Sequence, residues 1–505
     1  MLSKEEVLNS LRTGEKVVLE CKLAGKKLSG SVWDTYSAFA NTYGGTILLG
    51  VDEVKTEKDW RKRYPIIGLE DAEKLRVDFW NLLNDTEKVN VNLLVDEDVE
   101  IVKLDGKDIL AIHVPQADYH DKPVYINGNM TKGTFKRNHE GDYHCKESEI
   151  RAMVRDSSDD GNDAFCVPYC TMDDIDLTTL HEYRQMFLTK NPDHALNKKK
   201  DKEFLRQLGG CVVDPVTGKV GLTLAGLMMF GKGLPIRERF DMIRFDYVDK
   251  TNLVKGQRYR DRVTYSFDWE NNLFQFIAIV MPRLTRDLPV PFVLEGVQRV
   301  DDTPMHKLLR EAMTNMIIHA DFMGSGVLKI EKLDDGYMFS NPGTLKLPME
   351  EIYRGGVSAA RNPRIQNMLR MIGYGDNLGT GFPEMVEVWK ETWGEKPVLN
   401  ERYELLIVEL SFGGMRRNGG VSSGNKYNAV ENAVENAVER LTDNQKVIIS
   451  EMRRNPSVSK AELGVLLGIH GSNVDRNIQK LRRLGLIVRI GPAKGGHWEV
   501  VDKNN

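Results

Sequence analysis

A chain of 505 residues with a formal net charge of −4 is too long for one core, because domains run to about 100–200 residues. Three or four domains are expected. Its 41% hydrophobic and 29% charged residues exclude wholesale disorder, and the near-neutral balance excludes a polycation that engages acidic partners along its whole length.

The start, Met1-Leu2-Ser3-Lys4-Glu5-Glu6, lacks the apolar core of a signal peptide, and no run approaches the roughly 18–20 apolar residues of a membrane helix. A cytoplasmic location with no membrane partner is expected. Five scattered cysteines, Cys21, Cys145, Cys166, Cys170 and Cys211, form no disulfide framework. Cys166 and Cys170 make a C-x3-C pair, yet no second ligand pair has zinc-site spacing. From Arg440 onward there are 12 Lys and Arg against 6 Asp and Glu, a surplus of +6 that leaves −10 elsewhere. The basic end is the C-terminus.

In chain order, an amphipathic N-terminal stretch precedes a strand at Lys16 to Lys22, a helix from Val32 to Tyr43 and a buried strand from Thr46 to Val51 set off by Gly44-Gly45. Strands at Val99 to Leu104 and Ile109 to Val114 complete an α+β domain, residues 1–155, followed by an acidic linker from Asp156. Residues 165–300 read as a mixed α/β connecting domain, with a buried helix from Leu222 to Gly231 and a strand from Met242 to Tyr247. Residues 301–412 give helix, hairpin, loop and helix, with Asp334-Asp335-Gly336 as the hairpin turn. Residues 413–440 form a flexible spacer containing three Asn-Ala-Val-Glu repeats, and 441–502 a final small domain.

Three constellations carry chemistry. In the first, Glu20 and Lys22 share one strand face by the period of two, and Glu15 and Asp52 lie at strand ends. Converging carboxylates suit Mg²⁺ or Mn²⁺, with the lysine set to neutralise phosphate; ordinary surface charge is the alternative. The run from Glu15 through Ser37-Ala-Phe-Ala-Asn41-Thr-Tyr-Gly44-Gly45 to Asp52 resembles the AlbA-type domain of Schlafen proteins and of bacterial DNA-binding regulators. That resemblance covers residues 1–155, takes Gly128 to Arg137 as the closing strand, and matches Glu15, Glu20 and Asp52 to the acids of the RNA-cleaving branch.

The second is Glu311, Asn315 and His319, spaced by four on one helical face. Glu can act as a base toward water, and the Asn amide oxygen can coordinate phosphate-bound Mg²⁺. With Asn341-Pro342-Gly343, Arg361-Asn362-Pro363 and Gly379-Thr380-Gly381 following in order, residues 300–412 resemble the RecG-like C-terminal region that belongs with GHKL ATPases, an α/β sandwich. The resemblance implies an ATP–Mg²⁺ site lined by Glu311, Asn315, His319, Asn341 and Gly343, with Gly379 and Gly381 admitting phosphate to the backbone. Asn341-Pro342-Gly343 replaces the family's Asp-x-Gly-x-Gly.

The third is the basic tail. Ser459-x-x-Glu462 is a capping box, and Gly471-Ser472 opens a second helix with Val474, Ile478, Leu481 and Leu484 inward and Asn473, Arg476, Asn477 and Lys480 outward. Strands at Leu486 to Ile490 and His497 to Val501 add a wing carrying Arg489 and Lys494. The whole resembles the winged helix of bacterial transcription regulators, built to read DNA; protein contact is the alternative.

The fold class expected is therefore multidomain α+β: a Schlafen AlbA-like domain, a mixed middle domain, a GHKL-like sandwich and a winged helix. Two functions fit. One is an ATP-responsive, DNA-binding transcriptional regulator. The other is a metal-dependent Schlafen-like nuclease acting on tRNA or DNA, in phage defence. ATP hydrolysis and cleavage both stay open, and a homo-oligomer is expected, with the middle segment as its contact.

Overall fold

The computed structural model describes residues 4–14, 17–24, 27–213, 218, 220–289, 294–295, 298–299, 302–375, 381–394, 396–413, 443–483, 487–490 and 497–500. Glu15, Gly379, Leu484, Lys494 and the repeats of the spacer lie outside the described residues. The chain divides into two compact units: Met1–Ser157 together with Val421–Asn505, and Ser158–Gly420. Among the described residues no helix is long and apolar enough to cross a membrane.

In the first unit, α1 (Lys4–Thr13), β1 (Leu19–Lys22), α2 (Ser31–Asn41), β2 (Gly45–Leu49), α3 (Ala72–Leu83), β3 (Val99–Leu104) and β4 (Lys107–Val114) surround a four-stranded sheet of order β1-β2-β4-β3. β1 pairs parallel to β2, and the rest of the sheet is antiparallel. Apolar residues on both faces make β2 a buried central strand: Ile47 and Leu49 pack with α2 and α3, while Leu48 packs with Val7 and Leu11 of α1. Trp33 of α2 stacks on Phe79 of α3, ring centroids 5.2 Å apart. The expected closing strand at Gly128 to Arg137 is instead a short helical turn, Met130–Gly133, and then a hairpin of β5 (Phe135–Asn138) and β6 (Gly141–His144). Asn41 ties that hairpin to α2: its amide donates to Val124 O (2.8 Å) and Phe135 O (2.9 Å), and its oxygen accepts from Val124 N (2.8 Å). This exceeds the turn-forming role that the sequence suggests for it. The helix α4 (Glu147–Asp156) ends this part of the unit.

The second unit contains α5 (Leu177–Lys190), α6 (Leu224–Phe230), β7 (Ile243–Asp249), β8 (Asp261–Val263), α7 (Leu273–Thr285), α8 (Pro304–Ile318), β9 (Gly326–Leu333), β10 (Gly336–Pro342), α9 (Pro363–Met371), α10 (Gly381–Trp393), β11 (Val398–Arg402) and β12 (Ile407–Phe412). Its six-stranded sheet runs β8-β7-β9-β10-β12-β11. β7 lies parallel to β9 from Ile243↔Gly326 to Asp249↔Lys332. The strand expected at Met242 to Tyr247 thus belongs to the same sheet as the Asp334-Asp335-Gly336 hairpin, and one core runs from Val167 to Phe412. The sequence reads residues 165–300 and 301–412 as separate domains. The structure joins them because β9 has no partner on its outer side until β7 arrives. All seven residues of α6 are buried, and each large side chain so buried contributes about 1.5–3 kcal/mol.

The C-terminal part of the first unit is α11 (Asp443–Arg454), α12 (Lys460–Leu467), α13 (Gly471–Arg483), β13 (Ile487–Ile490) and β14 (His497–Val500), the last two antiparallel. The capping box forms: Glu462 N donates to Ser459 Oγ (3.2 Å) and Ser459 N donates to Glu462 Oε2 (2.8 Å). Val474, Ile478 and Leu481 join Ile448, Met452, Leu463 and Trp498 in a small core.

Candidate functional site

Of the N-terminal acids, Glu20 and Asp52 are described. Glu20 stands opposite Ile47 in the parallel register, and Asp52 follows beyond the end of that strand, past the turn at Gly50 (φ +95°). Glu20 Oε1 accepts from Lys22 Nζ (2.8 Å) and Oε2 from Arg137 Nη2 (2.7 Å). Arg137, buried beside Phe39, also donates to Asp142 Oδ1 (2.9 Å), and Thr35 Oγ1 donates to Asp142 Oδ2 (2.5 Å). Burial lowers the guanidinium pKa, but the Glu20 and Asp142 carboxylates outweigh it and hold Arg137 above its ordinary value. Asp34 next to this network is pushed up by burial and by Asp142, against the pull of Lys22 and His144. Asp52 accepts from Glu53 N (2.9 Å).

Both oxygens of Glu20 are held by cations, and among the described residues no three His, Cys, Asp or Glu side chains are grouped to hold a metal. The sequence signals Glu20 and Lys22 but misses Arg137 and Asp142, because the β5–β6 hairpin that brings them is more than 100 residues away in the chain.

The second constellation does assemble. Helix α8 presents Glu311 and Asn315, and its C-cap residue His319, to a cavity of about 1140 Å³ including its open mouth. Phe339 and Asn341 of β10, Leu399 of β11, and Val408 and Leu410 of β12 form its floor; Thr344 to Leu347, Val357 to Ala359, Tyr374, Gly375, Gly381 and Phe382 line the rest. Asn315 Nδ2 donates to Glu311 Oε1 (3.3 Å). Two glycines wrap the Glu311 carboxylate: a Cβ on Gly381 would stand 2.0 Å from Oε1, and one on Gly375, whose φ is +71°, 3.3 Å from Oε2. Burial, then Arg361 and Lys346, push His319 down to about 4, so its imidazole is neutral at pH 7.

Asn341 is buried and donates to Pro342 O (3.2 Å). Gly343, at φ +117°, passes so close to Arg361 that a Cβ would meet Nη1 at 2.8 Å. Gly343 therefore makes room for Arg361, which is fully buried and donates to His319 O and to Thr344 O (2.9 Å). A lining of apolar side chains with one carboxylate, Glu311, three amides, Asn315, Asn341 and Gln366, and one lysine, Lys346, could hold a nucleotide. When bound, such a nucleotide would bring its own divalent cation and a cleavable phosphate, and Asn315 and Glu311 are the residues that could hold them.

In the third constellation the outward residues divide. Asn477 is buried, its oxygen accepting from Gln445 Nε2 (3.2 Å) and its amide donating to Asn473 O (3.1 Å), so it braces α13 against α11 instead of facing a groove. Arg489 lies over the Trp498 ring at 4.7 Å. Arg476 and Lys480 meet the N-terminal part of their own unit: Arg476 Nη1 donates to Leu94 O (3.1 Å), and Lys480 Nζ pairs with Asp98 Oδ1 (3.3 Å). Asn473 stands beside Arg476, its oxygen 3.5 Å from Nη1.

Family models match four regions of the chain. Residues 15–146 match "Schlafen, AlbA_2", 151–246 a domain of unknown function, 324–410 "Putative ATP-dependent DNA helicase recG C-terminal", and 441–496 the MarR family. The domain order is the one read from the sequence. The chain carries a Schlafen AlbA_2 domain, a recG C-terminal region and a MarR-family winged helix within a multidomain α+β architecture. Such domains point to nucleic-acid binding, and the recG-type region to an ATPase-like fold.

Helix α8 with Glu311 and Asn315 precedes the recG match. No curated protein matches significantly. Among solved structures, the DIP2311 protein from Corynebacterium diphtheriae is similar at 19% identity, over 97% of this chain and 92% of that one, with a TM-score of 0.37. The N-terminal domain of a "Putative ATP-dependent DNA Helicase RecG-related Protein" from Nitrosomonas europaea is similar at 29% identity, over 29% of this chain and 95% of that one, with a TM-score of 0.23.

Proposed function

We propose that this protein is an ATP-responsive, DNA-binding regulator of transcription. The observation that carries the reading is α13 of the MarR-type domain. Its apolar residues and Asn477 face the small core, while Asn473, Arg476 and Lys480 share the other side. Long cationic and amide side chains along one helix face suit phosphates and base edges in a major groove. The cavity under α8 supports the nucleotide half: Glu311 and Asn315 are set for the cation and phosphates, over an apolar floor that takes the base.

The test is duplex binding by the full chain across a salt series, with and without ATP and Mg²⁺. Arg476→Ala and Lys480→Ala should each weaken binding and each reduce the slope of log affinity against log salt by about 1. An unchanged affinity in both variants would sink the reading. Metal-dependent cleavage gains no support from Glu20, which is doubly paired. Cutting of tRNA or DNA with Mn²⁺ that vanishes in Glu20→Ala would reverse that judgement.

A further inference from the structure

The cations with which α13 would meet DNA are already occupied, Lys480 by a carboxylate and Arg476 by a backbone carbonyl of the same turn. Asp96, Glu97 and Asp98 form a single 3-10 turn just before β3. Asp98 is buried and built in: its Oδ2 accepts from Val95 N (3.0 Å), and its own N donates to Val95 O (2.9 Å). That leaves Oδ1 for Lys480, at 3.3 Å. Glu97 Oε1 accepts from Asn444 Nδ2 of α11 at 2.6 Å, and Leu94 O, at the entrance to the turn, takes Arg476.

From these contacts we infer that the 94–98 turn is an autoinhibitory plug. It presents carboxylate and carbonyl oxygens where a duplex would present phosphates, and it holds the recognition helix closed until DNA or another signal displaces it. This inference rests on the regulator reading. Asp98 against Lys480 gives the charge complementarity, Glu97 against Asn444 and Leu94 O against Arg476 extend it, and the turn is closed by hydrogen bonds of its own. A turn of this kind competes directly with DNA, so the apparent duplex affinity is reduced by the fraction of molecules that are closed.

The contact makes an asymmetric prediction. If it served only to hold the domains together, removing either side would have the same consequence for DNA. As a plug, its two sides act in opposite directions: loss of the basic side weakens DNA binding, and loss of the acidic side strengthens it.

The experiment uses the full chain and a fluorescent duplex in anisotropy titrations, with amide hydrogen exchange of residues 471–483 as the readout of opening. The variant Glu97→Ala/Asp98→Asn keeps an oxygen for Val95 N while removing both carboxylates that face the winged helix. Glu97→Lys, at a partly exposed position, leaves the Val95–Asp98 bonds alone and serves if the double variant folds poorly. Duplex affinity about tenfold tighter than wild type, with faster exchange in 471–483, is the expected result. Faster exchange with unchanged or weaker affinity overturns the plug, as does tighter binding without any change in exchange. If no protein, wild type included, binds duplex at any salt, the regulator reading itself falls. If wild type binds and Arg476→Ala weakens it while the acidic variants change nothing, that reading stands and the plug alone is lost.

Discussion

At Asp163 the surroundings of one carboxyl set a pH dependence. Its Oδ2 accepts from Ile365 N (2.8 Å) at the start of α9, while Oδ1 is buried with no hydrogen-bond partner among the described residues. Burial pushes its pKa up to about 7, against the pull of that backbone N–H and of Arg364. The folded state thus binds a proton between the ordinary carboxylate range and pH 7 that the unfolded chain has released. The stability of the second unit should fall as pH rises through that window and level off above it, by at most about 4 kcal/mol. Asp163→Asn keeps the acceptor for Ile365 N and has no charge to bury. Thermal melts should show the variant several degrees more stable than wild type at pH 8 and little different at pH 4; equal melting shifts at both values would refute the assignment. Nothing local in the sequence marks Asp163, which sits in an acidic stretch that reads as a linker. Asn477 shows the reverse. Helical spacing alone puts it on the polar face, and only the arrival of Gln445 from α11 shows that a polar residue is needed inside.

Between elements, α8 and α10 meet through Glu311 and Gly381 with no room for a side chain. The substitution Gly381→Ala forces the Glu311 carboxylate out of its place beside Asn315, while the cavity floor of β10, β11 and β12 is untouched. Calorimetric titration with Mg–ATP should show binding weakened about tenfold or more, with the melting temperature of the protein nearly unchanged; wild-type affinity in that variant would count against a nucleotide site centred on Glu311. At this scale the sequence is most legible. Strand β3 spans the predicted residues, the Asp334-Asp335-Gly336 turn connects the hairpin, and Ser459 and Glu462 cap α12 as their spacing predicts. Each of these signals is complete within a few residues. The stretch at Gly128 to Arg137 is less legible, because Gly133 lies so close to Ile126 O that a Cβ would be 2.1 Å away, and the chain turns there instead of extending.

For the whole molecule, pattern alone cannot say which strands become neighbours. The period of Met242 to Tyr247 announces a strand, but its place beside β9 depends on more than 70 intervening residues, and so the boundary expected at 300 cuts a sheet in two. A fragment of residues 301–412 would lack β7 and β8 and the core residues of α6 and α7. It should show no cooperative melt by circular dichroism, whereas 158–420, which keeps the unit whole, should melt cooperatively. A cooperative transition in the shorter fragment would mean that the strand pairing is dispensable.

The first unit has another property, visible only when the chain is followed in time. Arg476 lies 382 residues after Leu94, the oxygen it reaches. At about 5–20 residues per second on the ribosome, the turn at 94–98 is finished on the order of 20–80 s before the helix that covers it has been made. During that interval Leu94 O, Glu97 and Asp98 lack the partners that α11 and α13 later bring. The long second unit, made in between, sets how long the turn waits for the winged helix of its own chain.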